Sequence, residues 1–238
     1  MRFTPIEPRR PALLLLLTIG TASAWELREA HHPLPELPAA LIVASPGADP
    51  GEYSELATEL EAWGFDAVMA VPEASLGSVE SATASLSALG RELKETRGEY
   101  QVAAHGYGGT LALMAGLEAE RFALIGSPIG PHLVPPDFLS NPGDDNPLFE
   151  APNESLRREL ISWAGDMPDV PDPGVPVLLI ASDADAVAPP ECVRLPSRGW
   201  SERRWSRFGM LHNQRTGHLE LRSSTAAAVE LTRFLKER

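Results

Sequence analysis

Along residues 39–236, short apolar runs alternate with segments whose apolar positions recur at helical spacing. Ala39 to Ala44 (AALIVA), Phe65 to Val71, Tyr100 to Ala104, Phe122 to Ile125 and Val175 to Ala181 are runs of four to seven residues bounded by Pro, Gly or polar positions. Such lengths predict strands buried on both faces. Between them, Tyr53, Leu56, Leu60 and Trp63 mark one side of a helix over Glu52 to Trp63 that Gly64 stops. Val79, Ala82, Leu86, Leu89 and Leu93 repeat at intervals of three and four, predicting an amphipathic helix from about Ser75 to Thr96. Thr110 to Ala119 is apolar nearly all round, the pattern of a buried helix. The final helix, Thr225 to Lys236, turns Ala228, Leu231, Phe234 and Leu235 to one side.

Strands buried on both faces and alternating with helices predict an α/β fold, with a mostly parallel central sheet and helices on both faces. No internal repeat interrupts this rhythm. One segment does: Pro131 to Pro173 is crowded with Pro, Asp, Gly and Asn, and carries a single short helix, about Glu154 to Trp163, behind an Asn153 cap. An excursion of that length reads either as a lid or binding segment, or as a solvated acidic insertion.

The first 24 residues have a different character. Arg2, Arg9 and Arg10 precede a short apolar run from Ala12 to Ile19, and Ala22-Ser23-Ala24 forms a small-residue cleavage site. The run is too short for the ~20 residues a membrane span needs. The expectation is a signal peptide over 1–24, cleaved after Ala24, and a periplasmic or secreted domain over 25–238. No cysteine lies near the cut, so no lipid anchor is expected. Residues 1–24 hold three Arg and one Glu; their removal leaves 17 basic and 32 acidic residues in 214, a net charge of −15.

Composition narrows the field further. The full chain of 238 residues has a formal charge of −13, 43% hydrophobic and 22% charged residues, which suits a folded domain. Its acidity argues against nucleic-acid partners and anionic membrane surfaces, which require clustered Lys and Arg. One cysteine, Cys192, excludes an intramolecular disulfide and a cysteine-rich zinc site. Asp144-Asp145 in the acidic excursion matches no calcium-loop spacing, so neither metal nor cofactor is expected.

Tyr100 to Gly109 reads Y-Q-V-A-A-H-G-Y-G-G, a strand running through a glycine-rich turn into a helix. This resembles the nucleophile elbow, G-x-S-x-G, of the α/β-hydrolase superfamily of esterase- and lipase-like serine hydrolases. The resemblance extends over the mature chain. Ser45-Pro46-Gly47 after the first run is similar to the oxyanion loop. Asp185, in L-L-I-A-S-D-A-D-A-V-A-P (178–189), lies at the acid position, and His218, in T-G-H-L-E-L, at the histidine position, in the family's order. His31-His32-Pro33-Leu34-Pro35 before the first strand is similar to esterase-like members. The resemblance implies Asp185 and His218 as catalytic residues and the backbone N–H groups of Gly47 and Tyr107 as oxyanion-hole donors.

The departure from the pattern is at its centre. Laid on G-x-S-x-G, residues 104–108 read Ala-His-Gly-Tyr-Gly, so Gly106 stands where the serine belongs. Glycine tolerates the strained geometry of an elbow, yet supplies no Oγ to attack a carbonyl. His105 and Ser127 (in I-G-S-P-I-G) are alternative nucleophiles, with local hydrogen bonding and a turn or capping role as their plainer readings. Asp183 competes with Asp185 for the acid, and His212 with His218 for the base. Two functions follow as expectations: an exported, non-catalytic protein that binds a small apolar or ester-like ligand or a protein partner, or an active esterase-like hydrolase in which the Asp185–His218 pair activates water or an unrecognised nucleophile.

Overall fold

The computed structural model describes residues 25–31, 33–73, 76–130, 153–163, 166–185, 187–194, 206–211 and 216–237. The segment 1–24, residues 131–152 of the excursion with Asp144 and Asp145, and His212 lie outside the described residues. The strands are β1 (Trp25–Glu29), β2 (Ala39–Val43), β3 (Asp66–Pro72), β4 (Tyr100–His105), β5 (Phe122–Ile125), β6 (Val177–Ser182) and β7 (Ser206–Leu211). The helices are α1 (Ser54–Ala62), α2 (Val79–Arg97), α3 (Tyr107–Met114), α4 (Glu154–Ser162), α5 (Pro190–Arg194), α6 (His218–Arg222) and α7 (Thr225–Lys236). The strands form one sheet in the order β1-β3-β2-β4-β5-β6-β7. Every pairing is parallel except β1 with β3.

The central strands explain why the sheet sits where it does. β2 and β4 are buried at every residue, and successive side chains serve opposite layers. Leu41, Val43, Val102 and Leu124 join Leu86, Leu93 and Leu111 on the α2–α3 side. Ile42, Ala103, Ile125 and Ile180 join Leu56, Leu60, Leu231 and Phe234 on the α1–α7 side. This is the predicted parallel sheet with helices on both faces. Residues 154–162 of the excursion are helical as expected, with Asn153 capping the helix by accepting from the Ser155 N–H at 2.8 Å. Leu156 and Leu160 are buried in the α2–α3 layer, and Glu159 Oε2 accepts from the Val79 N–H at 2.6 Å. This part of the excursion is therefore docked onto the domain.

Two strands lie outside the five predicted. β1 is an edge strand with only Trp25 and Leu27 as large apolar residues, so it makes no continuous apolar run. Its indole N–H donates to the Ala82 carbonyl at 3.0 Å. β7, the opposite edge, reads SRFGML and is interrupted by Gly209. α3 begins at Tyr107, three residues before the expected Thr110, because the turn at Gly106 feeds directly into it, and it ends at Met114 instead of Ala119. α2 begins at Val79 instead of near Ser75, where the Ser78 hydroxyl accepts from the Ser81 N–H.

The β1 edge is fastened by one cation. Arg97, at the end of α2, donates to Asp66 Oδ2 and to Glu29 Oε1, each at 2.5 Å, while Asp66 Oδ1 accepts from the Leu34 N–H at 2.8 Å. Asp66 is 1% exposed. Burial pushes the Glu29 carboxyl above its ordinary range, with Arg97 pulling the other way. Removing Arg97 strands a buried carboxylate, at a cost of about 3–5 kcal/mol. Arg97→Met is expected to lower the free energy of urea unfolding by that order. Arg28→Ala, which breaks an exposed pair with Glu26, should change it far less.

Candidate active site

β4 ends at His105, and the chain turns at Gly106 with φ +56° and ψ −139° before entering α3. This is a conformation that L residues adopt only under strain. The Gly106 N–H donates to the Ile125 carbonyl at 3.0 Å, and its own carbonyl accepts from the Gly109 N–H at 3.1 Å. The turn is thus held between β5 and the first turn of α3. It has the strand–turn–helix form of a nucleophile elbow, with no side chain at its apex. A Cβ placed on Gly106 would lie 2.9 Å from His218 Nε2, 3.0 Å from Ser45 Oγ and 3.3 Å from Ser45 Cβ.

His218 and Asp185 are brought together from separate stretches of chain. Asp185 follows β6, where Val187 and Ala188 donate backbone N–H groups to its Oδ1 at 2.9 and 2.7 Å. Its Oδ2 accepts from His218 Nδ1 at 2.8 Å. The carboxylate can only accept, so Nδ1 carries the proton, and a base role falls to Nε2. The Ser182 hydroxyl donates to the Thr216 carbonyl at 2.6 Å and so ties the end of β6 to the approach of His218. Gly126, at φ +52° after β5, makes room for the pair. A Cβ there would lie 2.8 Å from Asp185 Oδ2 and 3.4 Å from His218 Nδ1. Both side chains are buried, and His218 Nε2 has no hydrogen-bond partner among the described residues.

A second chain of hydrogen bonds lies beneath the elbow. His105 Nε2 lies 2.9 Å from the His218 carbonyl, which can only accept, so Nε2 carries the proton. Nδ1 must then accept, and it takes the Tyr53 hydroxyl proton at 3.1 Å. The Tyr53 oxygen in turn accepts from the Ser45 N–H at 2.9 Å. Burial, reinforced by the neighbouring His218 ring at 4.6 Å between centroids, holds His105 well below the ordinary histidine range, so it stays neutral. His105 is thus engaged at both nitrogens, which removes it as a nucleophile.

The remaining candidates separate cleanly. Asp183 is exposed, whereas Asp185 is buried against His218. Ser127 Oγ donates weakly to the Ile125 carbonyl at 3.4 Å and packs against Gly109, where a Cβ would meet it at 2.1 Å. In the loop after β2, the Ser45 N–H is engaged by Tyr53 and Pro46 has no N–H, which leaves Gly47, at φ +94°, as the loop's available donor. Tyr107 opens α3, so its N–H belongs to the first turn, whose donors have no partner within the helix. Its ring is buried 6.0 Å from that of Trp163, and burial raises its hydroxyl pKa. Among the described residues, no cluster of His, Cys, Asp or Glu is arranged to hold a metal. Sequence reasoning did not single out Ser45 as a side chain, Tyr53 as a hydrogen-bonding residue, or Gly126. The first two carried only a loop and a helical-stripe signal, and the third the I-G-S turn.

No protein-family model matches the sequence, and no curated protein matches it either. Its structure, by contrast, is similar to many solved ones. A Bacillus licheniformis lipase in mature form aligns with a TM-score of 0.64 at 14% identity, over 91% of this chain and 99% of that one. A monoacylglycerol lipase from Paleococcus ferrophilus aligns at 0.57 and 16% identity, over 88% and 99%. An enol-lactonase from Burkholderia xenovorans aligns at 0.59 and 16%, over 90% and 96%. The chain has the α/β-hydrolase fold, the class that the elbow, the acid position and the histidine position suggested.

Two measurements test this geometry. Gly106→Ala puts a Cβ on a strained backbone and against His218, and is expected to destabilise the protein by about 1–3 kcal/mol, read from thermal or urea unfolding. His105 should give a pH signature. Folded His105 stays neutral while unfolded His105 takes up a proton, so its share of the stability is complete above about pH 6.5 and declines as pH falls below it. The slope approaches about 1.4 kcal/mol per pH unit. His105→Leu should be less stable than wild type at pH 7.5, and the gap between them should narrow toward pH 5.

Proposed function

We propose that this protein hydrolyses a small carboxylic ester, with His218 as general base and Asp185 as the group that orients it. The observation that carries the reading is His218 Nε2, an atom that is buried, without a partner among the described residues and 2.9 Å from the position a Gly106 Cβ would take. A buried polar atom left unsatisfied costs about 1–3 kcal/mol, and a site with no further use for the pair gains by losing it. His218 Nε2 would take the proton of the attacking hydroxyl and return it to the leaving alkoxide. The backbone N–H groups of Gly47 and Tyr107 are the proposed donors to the oxyanion. The solved structures of similar fold are named as lipases and a lactonase, which supports an ester substrate by analogy. With the basic start, apolar run and Ala22-Ser23-Ala24 site of the first 24 residues, we place the reaction in a periplasm or outside the cell, without a nucleic-acid partner.

A second reading is favoured by a specific pair of observations. Gly106 removes the expected nucleophile and Pro46 removes a loop N–H, and both losses suit a non-catalytic protein that binds a small apolar ligand or a protein partner.

Hydrolysis of p-nitrophenyl acetate and butyrate separates the two. The catalytic reading expects turnover that drops about 10²–10⁴-fold in His218→Ala, the usual contribution of a positioned general base. Equal rates in the two proteins, or no turnover above buffer, would sink it and leave ligand binding, read as ligand-dependent thermal stabilisation.

A further inference from the structure

We propose that Ser45, on the loop after β2, is the nucleophile of this site, displaced from the elbow to the strand beside it. The inference rests on the general-base reading of His218 and names the hydroxyl that the base serves. The elbow and the Ser45 loop follow adjacent parallel strands, β4 and β2, whose register pairs Val43 with Ala104. That register brings the residue two beyond Val43 beside the residue two beyond Ala104. With no side chain on Gly106, the Ser45 side chain lies beside the vacated position. Its Oγ and His218 Nε2 lie 3.0 and 2.9 Å from the same point, the spot a Gly106 Cβ would take. Their separation is therefore less than those two distances together.

Chemistry singles out Ser45 among the hydroxyls nearby. Tyr53 donates to His105, Thr110 to the Pro128 carbonyl at 2.5 Å, Ser182 to the Thr216 carbonyl, and Ser127 packs against Gly109. Among the described residues, no hydrogen bond engages His218 Nε2, and the Ser45 hydroxyl is the one that faces it across the Gly106 apex. The two groups converge on the position that a Gly106 side chain would take. The backbone of Ser45 is held by its N–H bond to Tyr53, which leaves χ1 as the torsion by which its hydroxyl can move. Catalytic hydrogen bonds often close only when substrate is bound.

The steps balance without a cofactor. Ser45 Oγ bonds to the ester carbonyl carbon as its proton passes to His218 Nε2, and the carbonyl π electrons move onto oxygen. Collapse breaks the bond to the alkoxide, which leaves with the proton from Nε2, and Ser45 holds the acyl group as an ester. Water then adds to that ester, giving its proton to Nε2. Release of the carboxylic acid returns the proton to Ser45 Oγ. The site reads as an Asp–His–Ser arrangement in which the serine comes before the elbow in the chain.

The test uses the intact protein and a fluorophosphonate probe, with the labelled peptide located by mass spectrometry, alongside nitrophenyl ester hydrolysis by wild type, Ser45→Ala and Ser45→Cys. The expected result is a single label on Ser45, and turnover that falls by several orders of magnitude in Ser45→Ala, toward the roughly 10⁶-fold that removing a serine nucleophile costs. Ser45→Cys should in addition take a covalent acyl group from the ester, seen before hydrolysis as a mass increase on the peptide that carries the substitution. Turnover that survives in Ser45→Ala but not in His218→Ala overturns the displaced nucleophile and leaves His218 acting on water. A label on any other residue, or none on an active protein, likewise overturns it. No turnover in wild type removes the general-base reading itself. Labelling of wild type needs no variant to fold, so the result stands even if Ser45→Ala does not.

Discussion

The two hydrogen bonds of His105 hold the site in register. Its ring is buried at the end of β4, where one nitrogen donates to the backbone of His218 and the other accepts from Tyr53. Tyr53 passes the restraint to the backbone of Ser45. Three pieces of chain that are remote in sequence, the loop after β2, the elbow and the start of α6, are thereby fixed by one neutral imidazole. Such a linkage demands a single tautomer, and the carbonyl of His218 dictates it. Burial keeps the ring uncharged, so the same environment that excludes water also maintains the hydrogen-bond pattern.

On this frame the loss of one side chain has a geometric meaning. The elbow keeps its positive-φ turn, Asp185 keeps its turn of two backbone donors, and Gly126 keeps the space the pair needs. Only the apex lacks its side chain. Packed interiors leave few voids, and here two polar groups, one from the loop after β2 and one from the start of α6, crowd the position a Cβ would take. A serine returned to position 106 would therefore require the side chains of His218 and Ser45 to shift.

Much of the fold could be read from the sequence, for physical reasons that also mark where reading stopped. β5 and α7 have the predicted bounds because a buried run and an amphipathic stripe each end at clear polar positions. The edge strands escaped because neither makes a continuous apolar run: period-two burial in β1 leaves only Trp25 and Leu27 as apolar signal, and Gly209 divides β7. Of the site, Asp185, His218 and Gly106 were visible through their order and neighbours. Ser45 was not. Its nearness to Gly106 depends on the register between β2 and β4, and register is a tertiary fact that local pattern does not carry. Tyr53 was read as one member of a helical stripe, and its ring does lie in the core; the hydroxyl at the end of that ring supplies the link to His105.

The outer edge of β1 has a consequence for how copies of this protein meet. An unpaired edge invites another sheet to extend it. Here the exposed positions of the strand are Glu26 and Arg28, whose side chains are bound to each other. A second copy adding to that edge would set its strand beside both charges, while bringing up a body that itself carries a formal −13. The strand that closes the sheet on this side also discourages it from growing into an aggregate.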